Sequence, residues 1–291
     1  MAETVVEGEA RAKVNLDLLV TARRQDGYHE LDSLVVFAGA CDRLRAEASD
    51  ALTLTVDGPL SAQVPAGDGN LVLAAARELA WAARVEPRAA LTLTKRLPVA
   101  AGLGGGSADA AAALLALDRL WGTGMAPHRL RELALAIGAD VPVCVWGRPA
   151  RMRGIGERLD PVRGLPDLPL LLVNPGVPVP TGAVFKALDL PDDPEPRGPL
   201  PIHPSVVRLA AWLLESRNDL EPPAIRLVPE VGATLELLRG LPECLVARMS
   251  GSGGTCWALF ADGGRLVRAE AALAKARPDW WRWAGVVEPG G

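Results

Sequence analysis

At 291 residues, 49% hydrophobic and 23% charged, the chain is long enough for one large or two ordinary domains and apolar enough to build real cores, which excludes disorder, collagen and coiled coil. A net charge of −4 argues against a nucleic-acid partner, because neutralising several backbone phosphates needs a concentrated basic face; a single small anionic ligand is compatible with it. Cys41, Cys144, Cys244 and Cys256 are scattered, His29, His128 and His203 lie far apart, and no apolar run is long enough to span a bilayer, so the expectation is a soluble cytoplasmic protein without disulfide framework, structural zinc or membrane contact.

In chain order, the residues from Lys13 to Val20 alternate polar and apolar, the period of a half-buried strand with Lys13 and Asn15 on one side. Leu52 to Val56 and Leu91 to Thr94 alternate likewise, which suits antiparallel or mixed sheets. Asn70 is a candidate N-cap for a helix from Leu71 to about Trp81, and Ser107 for one running to Leu120, where Gly122 and Gly124 stop it. A third helix is expected from Pro127 to Ile137, then a strand from Val141 to Trp146, a glycine-punctuated turn over 153–157 and a short buried strand at Leu170 to Val173. Between Pro191 and Pro204 six of fourteen residues are proline, so no helix or central strand persists there and an exposed connection is expected. Helices at Val206 to Glu215 and Val231 to Leu238, strands at Leu245 to Met249 and from Thr255 to Phe260, and a last helix from Gly264 to Ala276 follow. The pattern is α+β, in two domains divided near residue 160, 1–160 and 161–291.

The clearest motif is Leu97-Pro-Val-Ala-Ala-Gly-Leu-Gly-Gly-Gly-Ser-Ala-Asp109, set between a strand and a helix. Its glycines allow close backbone approach to a ligand, and the free N–H groups and positive dipole end of the following helix attract phosphate. No Gly-Lys-Ser/Thr follows, so it is not a Walker loop, and a glycine-rich turn without a ligand is the alternative. Ser250-Gly-Ser-Gly-Gly254 is a second glycine cluster that could face the first, or be an ordinary hairpin connection. Only four lysines occur among 31 basic residues, and Tyr28 is the one tyrosine, so Lys13 and Tyr28 draw notice. Lys13 with Asp140 offers complementary chemistry, a carboxylate to orient a hydroxyl proton and an ammonium to stabilise transferring phosphoryl charge; a solvated lysine and a turn-shaping aspartate are the plain alternatives. Tyr28, His29 and Phe185 either stack a base or fill a core.

Leu97 to Ala112 resembles the phosphate-binding motif of the GHMP kinases, and Arg248-Met-Ser-Gly-Ser-Gly-Gly-Thr255 their C-terminal glycine motif. Ala12-Lys-Val-Asn15, Asp26-Gly-Tyr-His-Glu30, Gly138-Ala-Asp-Val-Pro142, Asn174-Pro-Gly-Val177 with Thr181 and Phe185, and Asn218-Asp-Leu-Glu221 resemble the branch of that superfamily that acts on CDP-methylerythritol, in family order over nearly the whole chain. The resemblance implies an N-terminal α+β domain and a C-terminal ferredoxin-like domain with the active site in the cleft between them. It also implies transfer of the ATP γ-phosphate, with Mg²⁺ expected, to the substrate's 2-hydroxyl in the non-mevalonate route to isoprenoids. On this resemblance Asp140 is the catalytic base and Lys13 its charged partner. Asn15 and Thr181 bind the methylerythritol end. Tyr28, His29 and Phe185 hold the cytidine, with the rings of Tyr28 and Phe185 sandwiching the base. Pro98, Gly102, Leu103, Gly104, Gly105, Gly106 and Ser107 cradle ATP phosphates, and Asn70 lies near the adenosine. Asp109 receives no role and no metal ligand is assigned. The expected partners are these two small molecules alone, acting on a monomer or weak homodimer. The rival readings are another GHMP kinase of homoserine or mevalonate type, which has no cytidine to hold, and a nucleotide-binding regulator on the same fold, which has no need of both Lys13 and Asp140.

Overall fold

A computed structural model describes residues 4–64, 67, 69–190 and 198–289. The chain begins with β1 (Val5–Asn15), β2 (Leu19–Arg23) and the 19-residue β3 (His29–Glu47), then β4 (Leu52–Asp57), α1 (Leu71–Ala83), β5 (Ala89–Thr94), α2 (Gly105–Leu120), α3 (Pro127–Ile137) and α4 (Val141–Trp146). It continues with β6 (Ala150–Gly154), β7 (Arg158–Pro161), β8 (Leu168–Asn174), α5 (Thr181–Lys186), α6 (Val206–Glu215), α7 (Glu221–Leu227), α8 (Pro229–Arg239), β9 (Val246–Met249), β10 (Cys256–Leu259), α9 (Gly263–Ala276) and β11 (Trp281–Val287). These elements form two compact units. One gathers the chain up to Lys13 with Ala40–Val99 and Gly104–Gly147; the other gathers Val14–Gly39, Ala100–Leu103 and the chain from Arg148 onward. The chain thus changes unit at Lys13, Gly39, Val99, Leu103 and Gly147, where the sequence suggested one boundary near residue 160.

In the first unit the later half of β3 pairs antiparallel with β5, Arg43 opposite Thr94, and β4 lies parallel to β5. Helix α2 is buried nearly all round, with Ala108, Ala110, Ala111, Ala112, Ala113 and Ala116 inside, which is why it lacks a polar stripe. Its small side chains let α1 and α4 pack closely on it.

In the second unit β2, the first half of β3, β6 and β7 form an antiparallel meander, with Leu31 opposite Gly154. A separate antiparallel sheet has the order β11-β8-β10-β9. Helices α5 to α8 connect β8 to β9, and α9 connects β10 to β11, so this is the split βαβ arrangement of a ferredoxin-like domain. Flanked by β11 and β10, β8 is buried at every position, which explains its unbroken apolar run. Leu171, Val173, Leu235, Leu238, Phe260 and Leu273 meet in the core between sheet and helices.

Several expectations are corrected. The residues from Lys13 to Val20 are all buried, and the strand is interrupted after Asn15 before β2 resumes at Leu19. Alternation there separates two interior faces. The polar one is satisfied by hydrogen bonds, Asn15 Nδ2 donating to Ser33 Oγ (2.7 Å) and Asp17 accepting from Leu34 N (2.7 Å) and Ser216 Oγ (2.8 Å). The apolar run from Val141 to Trp146 is helix α4, with Pro142 in its first turn and Gly147 closing it at φ +62°. Helix α2 opens two residues before Ser107, on Gly104 at φ +63°, and Ser107 sits inside its first turn without capping. Of the proline-rich stretch, residues 191–197 lie outside the described residues, and 198–204 carry neither helix nor strand. Among the described residues no helix is long and apolar enough to cross a membrane.

Candidate active site

The first unit brings together Lys13, Asp140 and the glycine loop. Lys13 Nζ lies 3.2 Å from Asp140 Oδ2, the lysine side chain 4% exposed and the aspartate 36%. Asp140 occupies the N-cap position of α4, yet its side chain makes no capping bond there, so the helix does not consume the carboxylate. Gly104 presses its backbone on this pair: a Cβ at its position would lie 3.1 Å from Lys13 Cε and 3.8 Å from Asp140 Oδ2. The left-handed φ and the crowding together explain why glycine stands here. Gly105, Gly106 and Ser107 follow as the opening turn of α2, whose N–H groups no earlier helical carbonyl can satisfy and no side chain caps. An anion set on these N–H groups therefore sits next to a lysine and a half-open carboxylate, which is the equipment for moving a phosphoryl group onto a hydroxyl. Asn70 caps α1, its side chain accepting from Val72 N at 2.9 Å; Pro98 is buried at the start of the loop.

Beneath the loop lies a cluster that sequence reasoning missed. Lys95 Nζ donates to Asp42 Oδ2 (2.5 Å) and Asp109 Oδ2 (2.7 Å), all three residues being buried. The other Asp42 oxygen accepts from Arg96 N (2.5 Å) and Leu97 N (2.8 Å), pinning the residues that lead into the loop, and a Cβ on Gly105 would lie 3.4 Å from Lys95 Nζ. Burial pushes the Asp109 carboxyl up to about 7, with Lys95 pulling it down and Asp42 pushing it up. Burial opposes the Lys95 charge, but the two carboxylates outweigh it and hold its pKa above the ordinary value. The signal available in the sequence was a scarce lysine two residues before the motif; its partners are remote.

In the second unit the two glycine clusters meet. A Cβ on Gly102, at φ +72°, would overlap the Ser250 carbonyl oxygen and lie 2.8 Å from the carbonyl oxygen of Gly253. Ser250 Oγ donates to the Gly102 carbonyl (2.9 Å), and Thr255 N donates to the Ala101 carbonyl (3.0 Å). The other sequence motifs fasten to the same turn. Asn174 Nδ2 donates to Thr255 Oγ1 (3.0 Å), Asn218 Nδ2 to the carbonyls of Met249 (2.9 Å) and Gly251 (2.8 Å), and Thr181 Oγ1 lies 2.7 Å from Ser252 Oγ. Asn15 is wholly buried, its backbone N–H donating to Ser250 Oγ (3.1 Å). Leu103 is also buried.

The Asp26-Gly-Tyr-His segment is the turn from β2 to β3. Gly27 adopts φ +90°, Asp26 Oδ1 accepts from Tyr28 N (3.1 Å), and Tyr28 is left 56% exposed. The ring set against Phe185 is that of His29, with centroids 5.0 Å apart and planes at 28°. Burial, then Arg23, lowers the His29 pKa, keeping the imidazole neutral at physiological pH. No cluster of three His, Cys, Asp or Glu side chains suited to a metal occurs among the described residues.

An uncapped helix N-terminus behind a glycine loop, beside a lysine–aspartate pair, and a ferredoxin-like partner unit define a small-molecule kinase of the GHMP class. The model of the GHMP kinases N terminal domain matches residues 70–148 and that of the GHMP kinases C terminal matches residues 203–279. The chain is 53% identical over 278 residues to the 4-diphosphocytidyl-2-C-methyl-D-erythritol kinase of Cereibacter sphaeroides, covering 95% of this chain and 97% of that one. It is 53% identical over 274 residues to the protein of the same name from Paramagnetospirillum magneticum, covering 94% and 95%. A crystal structure of 4-(cytidine 5'-diphospho)-2C-methyl-D-erythritol kinase superposes with a TM-score of 0.76 at 38% identity, over 98% of this chain and 100% of that one. A homoserine kinase from Cytophaga hutchinsonii shares the fold at 19% identity, with a TM-score of 0.72 over 99% of this chain and 96% of that one. The chain belongs to the 4-diphosphocytidyl-2-C-methyl-D-erythritol kinase family.

Proposed function

We propose that the protein transfers the γ-phosphoryl group of ATP to the 2-hydroxyl of 4-diphosphocytidyl-2-C-methyl-D-erythritol, a step of the non-mevalonate route to isoprenoid precursors. The observation that carries this is the half-exposed Asp140 carboxylate held 3.2 Å from the Lys13 ammonium with the Gly104 backbone against both. Phosphoryl transfer needs little beyond positioning and charge stabilisation. Asp140 takes up the hydroxyl proton as the acceptor oxygen attacks, and Lys13 offsets charge on the moving phosphoryl group. Gly102 to Ser107 receive the ATP phosphates on backbone N–H groups and Asn70 lies toward the adenosine. Asn15 and Thr181 serve the methylerythritol end; Tyr28, His29 and Phe185 serve the cytidine. Mg²⁺ asks of a protein only one or two oxygen ligands beside phosphates and waters, a demand the Ser107 hydroxyl in the first turn of α2 fits; when bound it neutralises phosphate charge. The enzyme works in the cytoplasm without an obligate protein partner, as a monomer or weak homodimer.

The test is ATP consumption with the CDP-linked substrate beside homoserine and mevalonate. Turnover with the CDP-linked substrate alone is expected. Turnover only with homoserine or mevalonate would move the protein to another GHMP kinase, and nucleotide binding without turnover of any of them would make it a regulator.

A further inference from the structure

Ser250 is completely buried, and its hydroxyl holds two segments at once. It accepts from the backbone N–H of Asn15 at 3.1 Å and donates to the carbonyl of Gly102 at 2.9 Å. A hydroxyl has one proton, so with that proton on Gly102 the relay has a single polarity from Asn15 through Ser250 to the glycine loop. Both ends are held by further contacts. The Asn15 carbonyl is gripped by Trp257 Nε1 at 2.9 Å, so the residue is fixed on both sides of its Cα. Gly102 is so close to the second turn that a Cβ would overlap the Ser250 carbonyl oxygen, and its neighbour Ala101 is tied to Thr255 at 3.0 Å. Ser250 itself is set by its own N–H, which donates to the Thr255 carbonyl at 2.9 Å.

We infer that Ser250 is a positioning residue that couples the two substrate sites: a nucleotide that settles the Gly102 loop thereby settles the Asn15 segment for the acceptor, and the acceptor does the same for the nucleotide. This rests on the functional reading above, which gives the loop to ATP and Asn15 to the acceptor. Such coupling is reciprocal and is measured as a ratio of affinities. A side chain that merely stabilises the fold leaves that ratio unchanged.

The experiment measures the dissociation constant of a non-hydrolysable ATP analogue by calorimetry, with and without saturating CDP-methylerythritol, in the wild type and in Ser250→Ala. In the wild type the acceptor is expected to tighten analogue binding by about fivefold or more, within the ordinary range for coupled sites. In Ser250→Ala the ratio falls below about twofold, while each ligand alone still binds. Ser250→Cys keeps the shape of the side chain with a weak hydrogen-bonding group and supplies the same measurement if the alanine variant does not fold. A folded variant with wild-type coupling overturns the inference, as does a wild type that binds both ligands independently. A wild type that binds neither ligand overturns the functional reading, and the inference falls with it.

Discussion

Two lysine–carboxylate clusters lie in the first unit, and their lysines are nearly indistinguishable: the Lys13 side chain is 4% exposed and that of Lys95 2%. The carboxylates separate them. Asp140 is 36% exposed, whereas Asp42 and Asp109 are shut in. Solvent reaches the first and not the others, so on the function proposed above the first cluster serves proton and phosphoryl chemistry, while the second holds β3, β5 and α2 together under the glycine loop. Accessibility of the acid, more than burial of the base, divides chemistry from architecture in this unit.

Substitutions can break or sharpen this contrast. The largest effect on turnover is expected for Asp140→Asn, which loses about 10² to 10⁴ while the fold is kept; steady-state rates and denaturant titration measure the two, and undiminished turnover would erase the distinction. Asp42→Ala should reverse the balance. Removing one partner of a buried cluster destabilises by roughly 3–5 kcal/mol, visible as a large fall in melting temperature, and an unchanged melting temperature would show that the cluster does not hold the fold. Gly104→Ala tests the link between the loop and the Lys13–Asp140 pair: left-handed backbone with a Cβ adds about 1–2 kcal/mol of strain, and displacement of Lys13 is expected to lower kcat up to about 10².

For Asp109→Asn the change in stability depends on pH. Folded Asp109 keeps its proton up to about 7, against an ordinary value of 3.8, so between those values the folded state binds more protons than the unfolded one. Its contribution to stability therefore falls as pH rises from about 4 to about 7 and stays low above. The asparagine variant removes that slope and should gain on the wild type between about pH 4 and about pH 8 in denaturant midpoints. A constant difference across that range would mean that Asp109 does not titrate there.

Local signals in the sequence were reliable where local physics decides. Helix α3 was bounded by Pro127 and Gly138, α6 runs over the expected Val206–Glu215, and the buried run of β8 matched its place between two strands. The apolar stretch from Val141 to Trp146 misled because β-branched residues favour strands, while Pro142 and Gly147 fit a short helix and packing on α2 and α3 keeps it. Strand β3 escaped because its pattern changes along its length, half-exposed near His29, buried on both faces from Leu34 to Ala38 and alternating beyond. For the site, Lys13, Asp140 and the glycine loop were legible as motifs. The Lys95 cluster was not, since Asp42 and Asp109 lie 53 and 14 residues away and nothing local marks them as partners. The second glycine cluster carried little weight alone; only tertiary contacts reveal that Asn15, Gly102, Asn174, Thr181 and Asn218 converge on it.

Neither compact unit is a continuous piece of chain, and this governs how the protein can be divided. A cut after Gly147 would leave Val14–Gly39 on the wrong fragment, and β6 would lose the neighbour it finds at Leu31 to Val35. Expressed separately, a C-terminal fragment would present an unpaired strand edge in the meander and tend to aggregate. Reassembly would require both fragments to be made together, and a circular permutant that keeps every strand pairing would be the better route to relocating the termini.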